Sequence, residues 1–446
     1  MTKNFTFKFQ KAPRAEPVRQ NDIRVPNFSD KSVKMDAHSF VLWGDASNVD
    51  LSDAGEVIKY IRFANDTVFP SKDKMPDGFN PEQEFQEGLN PGLHVRDLHA
   101  LGITGKNITV AIIDQPLNTE HVEIKDNIVH YESIGYPEYI EASYHGTAVS
   151  SILAGKTLGV APDAKIVYFA AKNVKNNSAK VFAEQSVKEE IERYLPKDIK
   201  YEDFVNDIEN NRYVVDKQFK EFLFGIMQSF SPELVKRIQN AKSKKEPFFD
   251  NYAAALRKIL FMNARLPENQ KISAVSISWG GLGMNEECSN LIKQLIESGV
   301  MVLTTDSHRF YDKNADFITM DRQMNMSADD IESYDAGFWK DEIELVNNKL
   351  LAPAGGRTVA GFYDDNHYIY CGADSGMSWS TPYLVGVYAL AKQVMPTLTP
   401  QHFFDVAHIV GAYNDKIGKN VIVQPQKIIE YLQNEKILQN TETKGR

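Results

Sequence analysis

Apolar positions along the chain follow two regimes that meet near residue 93. Residues 1–35 are polar, contain prolines and show no period, which predicts a loose arm. A short apolar run, Phe40–Trp43, precedes a polar Asp/Ser stretch and a helical pattern over Glu56–Ala64. Residues 65–92, with Pro70, Pro76, Pro81 and Pro91, read as loop. The pattern then changes. Ile108–Asp114 (Ile-Thr-Val-Ala-Ile-Ile-Asp) is a β-branched run of the kind buried inside a parallel sheet. Ala164–Ala170, Ile272–Ser278 and Gly299–Thr305 repeat it. Helical spacing appears between these runs at Thr147–Ala154, Tyr252–Met262 and Asn285–Glu297, and again at Pro382–Val394. Strands alternating with helices predict an α/β fold, a doubly wound and mostly parallel sheet with helices on both faces.

Residues 173–250 interrupt that rhythm. They are charged and helical in pattern, with Phe219, Phe222, Leu223 and Ile226 at helical spacing within 215–230. A helical insertion packed on the core and a lid or partner-binding element both fit.

Composition narrows the class without naming the chemistry. With 42% hydrophobic residues over 446 positions, the chain can bury a large core. A net charge of −10 argues against nucleic acid as the main partner, because phosphate binding draws on clustered Lys and Arg. Two cysteines, Cys288 and Cys371, form no disulfide framework. Residues 1–24 lack the apolar run of a secretory leader, and no stretch reaches the roughly 18 apolar residues of a membrane span. The expectation is a cytoplasmic enzyme, although a mature form that has lost a leader would look the same.

Three residues could carry chemistry. Asp114 closes the first buried strand, His145 opens an apolar helix, and Ser378 lies just before another. Active sites of open α/β sheets gather at the carboxyl ends of strands. A serine hydroxyl needs a base, His supplies one, and a carboxylate fixes its tautomer. Singly, each residue is more simply a turn, core or cap residue. Their order along the chain, Asp then His then Ser, separates them from other hydrolase arrangements. The G-x-S-x-G elbow is absent, since Ser380 stands where its second Gly would be.

Here the sequence resembles the subtilisin-like serine proteases, the subtilase family. His145-Gly146-Thr147-Ala148-Val149, followed by Ala154-Gly155, resembles the family's His motif. Gly376-Met377-Ser378-Trp379-Ser380-Thr381-Pro382, with Val385-Gly386 downstream, resembles its Ser motif. Gly159-Val160-Ala161-Pro162, Ser278-Trp279-Gly280-Gly281 and His121-Val122-Glu123 resemble three further segments in the same order. The resemblance covers roughly residues 93–410 apart from the insertion. It implies a serine endopeptidase in which Ser378 attacks the scissile carbonyl, His145 moves the proton and Asp114 orients His145. Ser278, Trp279 and Gly280 would pair with an extended peptide, a mode that reads backbone rather than side chains.

Two departures stand out. Gln115 and Pro116 follow Asp114 where the family has Ser or Thr and Gly, and Pro116 has no N–H to give to the carboxylate. At the family's oxyanion-hole Asn, alignment of Gly299–Leu303 places His308. A histidine N–H could serve there beside the Ser378 backbone N–H; after a small register shift His308 would be a bystander. Thr305, Asp306 and Ser307 fall along the pocket for the side chain before the scissile bond. Asp306 there would favour Lys or Arg, while a solvated or salt-bridged loop carboxylate is the plainer reading.

The expected organisation is an N-terminal extension over 1–92, a catalytic domain over 93–435 with the insertion at about 173–250, and a polar tail over 436–446. A cleaved inhibitory segment is common in the family, and residues 36–90 are where it would lie. The expected partner is a peptide or protein substrate, with no nucleic acid and no membrane span. No cofactor or metal is expected for the chemistry. The acidic stretch Asp329–Asp335 lacks a dedicated calcium pattern, although subtilases often hold structural calcium. Restricted processing of a cognate peptide fits best; a catalytically impaired peptide-binding relative is the alternative.

Overall fold

The computed structural model describes residues 22–29, 39–135, 142–171, 185–197, 199–209, 247–340, 345–373 and 375–444, with isolated positions between 222 and 235 and at 343. Its strands are β1 (Asp22–Arg24), β2 (Val41–Trp43), β3 (Arg62–Ala64), β4 (Thr109–Asp114), β5 (Ile128–Ile134), β6 (Lys165–Ala171) and β7 (Ile272–Ile277). They continue as β8 (Met301–Thr304), β9 (Phe317–Arg322), β10 (Tyr334–Asp335), β11 (Leu350–Pro353), β12 (Arg357–Ala360), β13 (Tyr368–Cys371) and β14 (Val421–Ile422). The helices are α1 (Pro81–Gly88), α2 (Val95–Ala100), α3 (Tyr144–Ala154), α4 (Gln185–Tyr194) and α5 (Tyr201–Glu209). After them come α6 (Pro247–Asn263), α7 (Glu286–Glu297), α8 (Met377–Val394), α9 (Pro400–Val410) and α10 (Pro425–Lys444).

The centre is a five-stranded sheet in the order β5-β6-β4-β7-β8, parallel throughout. β4 lies between β6 and β7, so both edges and both faces of its Val-Ala-Ile-Ile run are covered. That is why it carries apolar side chains without alternation. A second sheet, β10-β9-β11-β14, extends the parallel theme through β9, β11 and β14. α3 and α8 pack together, and small residues allow it; a Cβ on Gly386 would lie 3.4 Å from the Leu153 carbonyl of α3 and 2.6 Å from the Val160 side chain in the loop that follows. The mixed α/β architecture with a parallel sheet is the expected one.

The third sheet, β1-β2-β3-β13-β12, joins the N-terminal stretch to the strands that lead into α8. Here the structure corrects the sequence reading locally. Residues 55–60 form a 3-10 helix rather than the start of a helix reaching Ala64, and Arg62–Ala64 is a strand antiparallel to β13. The reason is tertiary, since Phe63 stacks on Tyr370 at 4.9 Å within a cluster of Phe40, Leu42, Ile61 and Phe79. Within the stretch read as loop, Asn80 caps α1 by accepting from the Gln83 N–H at 3.2 Å, and Pro81 sits at its first turn. α10 runs on to Lys444 through the stretch read as a tail.

The chain forms two compact units, Met1–Lys172 with Tyr252–Arg446, and Asn173–Asn251. In the smaller unit α4 and α5 bury Val187, Ile191 and Phe204 around Phe230 and Leu234. Most of the helix expected over 215–230 lies outside the described residues.

Candidate active site

Asp114 ends β4 and is 4% exposed. His145 sits in the first turn of α3, whose N-cap Ser143 accepts from the His145 N–H at 3.3 Å. The two meet directly, with His145 Nδ1 2.7 Å from Asp114 Oδ1. Nδ1–H therefore donates to the carboxylate and leaves Nε2 as the basic nitrogen. Burial by itself would lower the His145 pKa; the Asp114 charge and hydrogen bond outweigh it, and the net shift is upward.

The unusual Gln115-Pro116 pair has a structural use. The Gln115 N–H donates to Asp114 Oδ1 at 2.7 Å, supplying the backbone bond that Pro116 has no N–H to make. Gln115 Oε1 accepts from the Ser143 hydroxyl, the Gln115 carbonyl accepts from Tyr168, and the Pro116 carbonyl accepts from the Ser143 N–H at 2.7 Å. The end of β4 is thus tied to the start of α3. A Cβ at position 146 would overlap the Gln115 carbonyl, so the approach requires Gly146.

Ser378 occupies the first turn of α8 and is half-buried. Its hydroxyl donates to the Ser278 carbonyl at 3.4 Å, and the Ser278 hydroxyl donates to the Ser378 carbonyl at 2.8 Å. Among the described residues no hydrogen bond joins Ser378 to His145. The neighbouring Trp379 stacks on the His145 ring, with centroids 5.4 Å apart, which brings the two segments side by side. Asp114, Ser278 and Ser378 therefore converge at the carboxyl ends of β4 and β7, where helix N-termini also point.

The remaining expected site residues separate by environment. Trp279 is exposed at the mouth, and a Cβ on Gly280 would lie 2.8 Å from Thr305 Oγ1, so these residues share one wall. Ser307 is buried and exchanges hydrogen bonds with the Thr304 backbone at 2.8 Å, an internal role. The Asp306 carboxylate is occupied, accepting from Thr304 Oγ1 at 2.8 Å and the Gly281 N–H at 3.2 Å and pairing with Arg309 at 3.3 Å. His308 is exposed, and its Nδ1 lies 4.0 Å from Asp316 Oδ1. Among the described residues no hydrogen bond links His308 to Ser378 or Ser278. The Asp329–Asp335 carboxylates serve loop backbone, Asp329 accepting from the His94 N–H at 2.7 Å and Asp335 from the Gly337 N–H at 3.0 Å. No three His, Cys, Asp or Glu side chains converge among the described residues.

Sequence reasoning missed Arg62 and Tyr144. Tyr144 Oη lies 2.9 Å from Cys371 Sγ, and Arg62, 5% exposed, is the cross-strand partner of Cys371. Only a buried charge within an apolar run, at Ile61-Arg62-Phe63, hinted at this.

The Subtilase family profile matches residues 105–211, a span holding Asp114 and His145 but not Ser378. Subtilisin-like protease 2 of Arthroderma otae is 34% identical over 64 residues, 14% of this chain and 15% of that protein's length. The chain thus carries a subtilase-like region at residues 105–211, set in a mixed α/β fold consistent with that family.

Proposed function

We propose that this protein is a serine endopeptidase of the subtilase type, cleaving peptide bonds through an acyl-enzyme on Ser378. The observation that carries the reading is the 2.7 Å bond between His145 Nδ1 and the buried Asp114, beside a serine at a helix N-terminus. His145 Nε2 takes the Ser378 proton as Oγ attacks the carbonyl carbon, then returns it to the leaving amine. Water next attacks the acyl carbon and restores Ser378. The tetrahedral oxyanion is met by the Ser378 backbone N–H and the N-terminal end of α8. In the resting arrangement Ser378 Oγ rests on the Ser278 carbonyl, and catalysis requires it to turn toward His145.

A peptide or protein is the substrate on this reading. The exposed Trp279 wall makes apolar contact with it, and Ser278 to Gly280 pair with its backbone. Because Asp306 is already neutralised within its own loop, it gives no free anion for a Lys or Arg side chain. A second reading, peptide binding with impaired turnover, is favoured by the exposed position of His308 facing Asp316. Labelling by a fluorophosphonate probe decides between them. The protease reading requires labelling of the wild type that Ser378→Ala abolishes; a folded wild-type protein that never labels overturns it.

A further inference from the structure

The sheet β1-β2-β3-β13-β12 has two different faces. On one, Phe63 and Tyr370 stack, and Tyr370 Oη donates to Glu84 of α1 at 2.8 Å. On the other, the cross-strand partners Arg62, Cys371 and Arg357 form a row, because directly opposed residues of antiparallel strands share a face. That row faces the site. Arg357 lies 5.6 Å from the Tyr383 ring of α8, and Cys371 contacts Tyr144, the residue before His145. Arg62, buried and directly opposed to Cys371, lies on the sheet face that meets Tyr144, and its positive charge opposes that of Asp114 at His145.

We propose that Arg62 is a positioning residue of the Asp114–His145–Ser378 site. From the N-terminal segment it backs the Cys371–Tyr144 contact at the first turn of α3 and sets a fixed positive charge on the side of the site that carries His145. The inference rests on the protease reading for its catalytic meaning. It also makes residues 41–90 a permanent part of the working enzyme rather than a removable segment. Their attachment supports this. Glu84, fully buried, receives Arg322 Nη2 and Tyr370 Oη at 2.8 Å each, and removing β3 would strip β13, the strand leading to Ser378, of one neighbour.

The charged groups that bear on His145 are Asp114 on β4 and Arg62 on β3, and Trp379 of α8 stacks on its ring. Among the charges in this set, Asp114 favours the imidazolium and Arg62 opposes it.

The test is an NMR titration of His145 in the full-length protein, comparing wild type, Arg62→Met and Arg62→Lys. Loss of the charge is expected to move the His145 midpoint, and with it the acidic limb of kcat/KM, to higher pH. Arg62→Lys should restore the wild-type midpoint. An unchanged midpoint in folded Arg62→Met overturns the proposal. If Arg62→Met does not fold, Arg62→Gln, which keeps a polar side chain without the charge, gives the same readout. Intact mass of the probe-labelled wild type should retain residues 41–90, and a labelled species lacking them overturns it as well. The titration needs no turnover, so a shifted midpoint without Ser378 labelling would sink the protease reading alone.

Discussion

The Ser278 hydroxyl donates to the carbonyl of Ser378 at 2.8 Å, filling a bond that α8 leaves open. In a helix that carbonyl would accept from the N–H four residues on, but position 382 is proline. The side chain of one strand end thus repairs the helix that carries the nucleophile. Ser278→Ala leaves the carbonyl without a donor and should cost about 1–3 kcal/mol in chemical denaturation. Adding Pro382→Ala to that variant should recover part of the loss, since it restores the helical N–H. An unchanged midpoint in Ser278→Ala would show that the bond contributes nothing, and equal losses in the single and double variants would show that the proline is not what leaves the carbonyl open.

The Asp114–His145 bond predicts a pH profile. His145 acts as base only when neutral, and its pKa lies above the ordinary imidazole value of 6.5. Activity should therefore fall as pH drops through a midpoint above 6.5. Asp114→Asn should lower turnover by about 10⁴-fold, because the imidazole loses both its orientation and its counter-charge. Stability linkage runs the other way. A raised folded-state pKa contributes stability below the unfolded value, and that contribution disappears as pH rises through the folded midpoint. Paired rate and melting profiles of wild type and Asp114→Asn check both signs.

His308 provides a contrast with Ser378. A side chain donating to the oxyanion is worth on the order of 10²–10³ in kcat. His308 is exposed and oriented toward Asp316, so His308→Ala should change kcat by less than about tenfold. A loss in the oxyanion-donor range would mean that the ring swings over Ser378 when substrate binds.

Glu84 tests how firmly the N-terminal stretch is attached. Its carboxylate is fully buried between Arg322 and Tyr370 and also accepts from the Asn325 N–H at 2.5 Å. Glu84→Ala leaves the Arg322 guanidinium buried without its counter-charge, at a cost of roughly 3–5 kcal/mol. Denaturant unfolding followed by tryptophan fluorescence reads that loss, and an unchanged midpoint would show that the pair is not needed.

By itself, the sequence determined the parallel α/β core and the order Asp114, His145, Ser378. Those features are local, since a buried strand or an apolar helix writes its burial into consecutive residues. Short segments paired across long distances were not legible in this way. Arg62–Ala64 looked like a helix end because three residues carry too little period to reveal a strand whose partner lies at 369–371. Tertiary structure alone decided that Gln115 supplies the N–H Pro116 lacks, that Asp306 is neutralised within its loop, and that His308 faces Asp316. It also decided that a buried arginine, Arg62, pairs across the sheet with Cys371, which touches Tyr144 beside the candidate base. Each depends on where a side chain points once distant segments pack, and neither composition nor spacing encodes that direction.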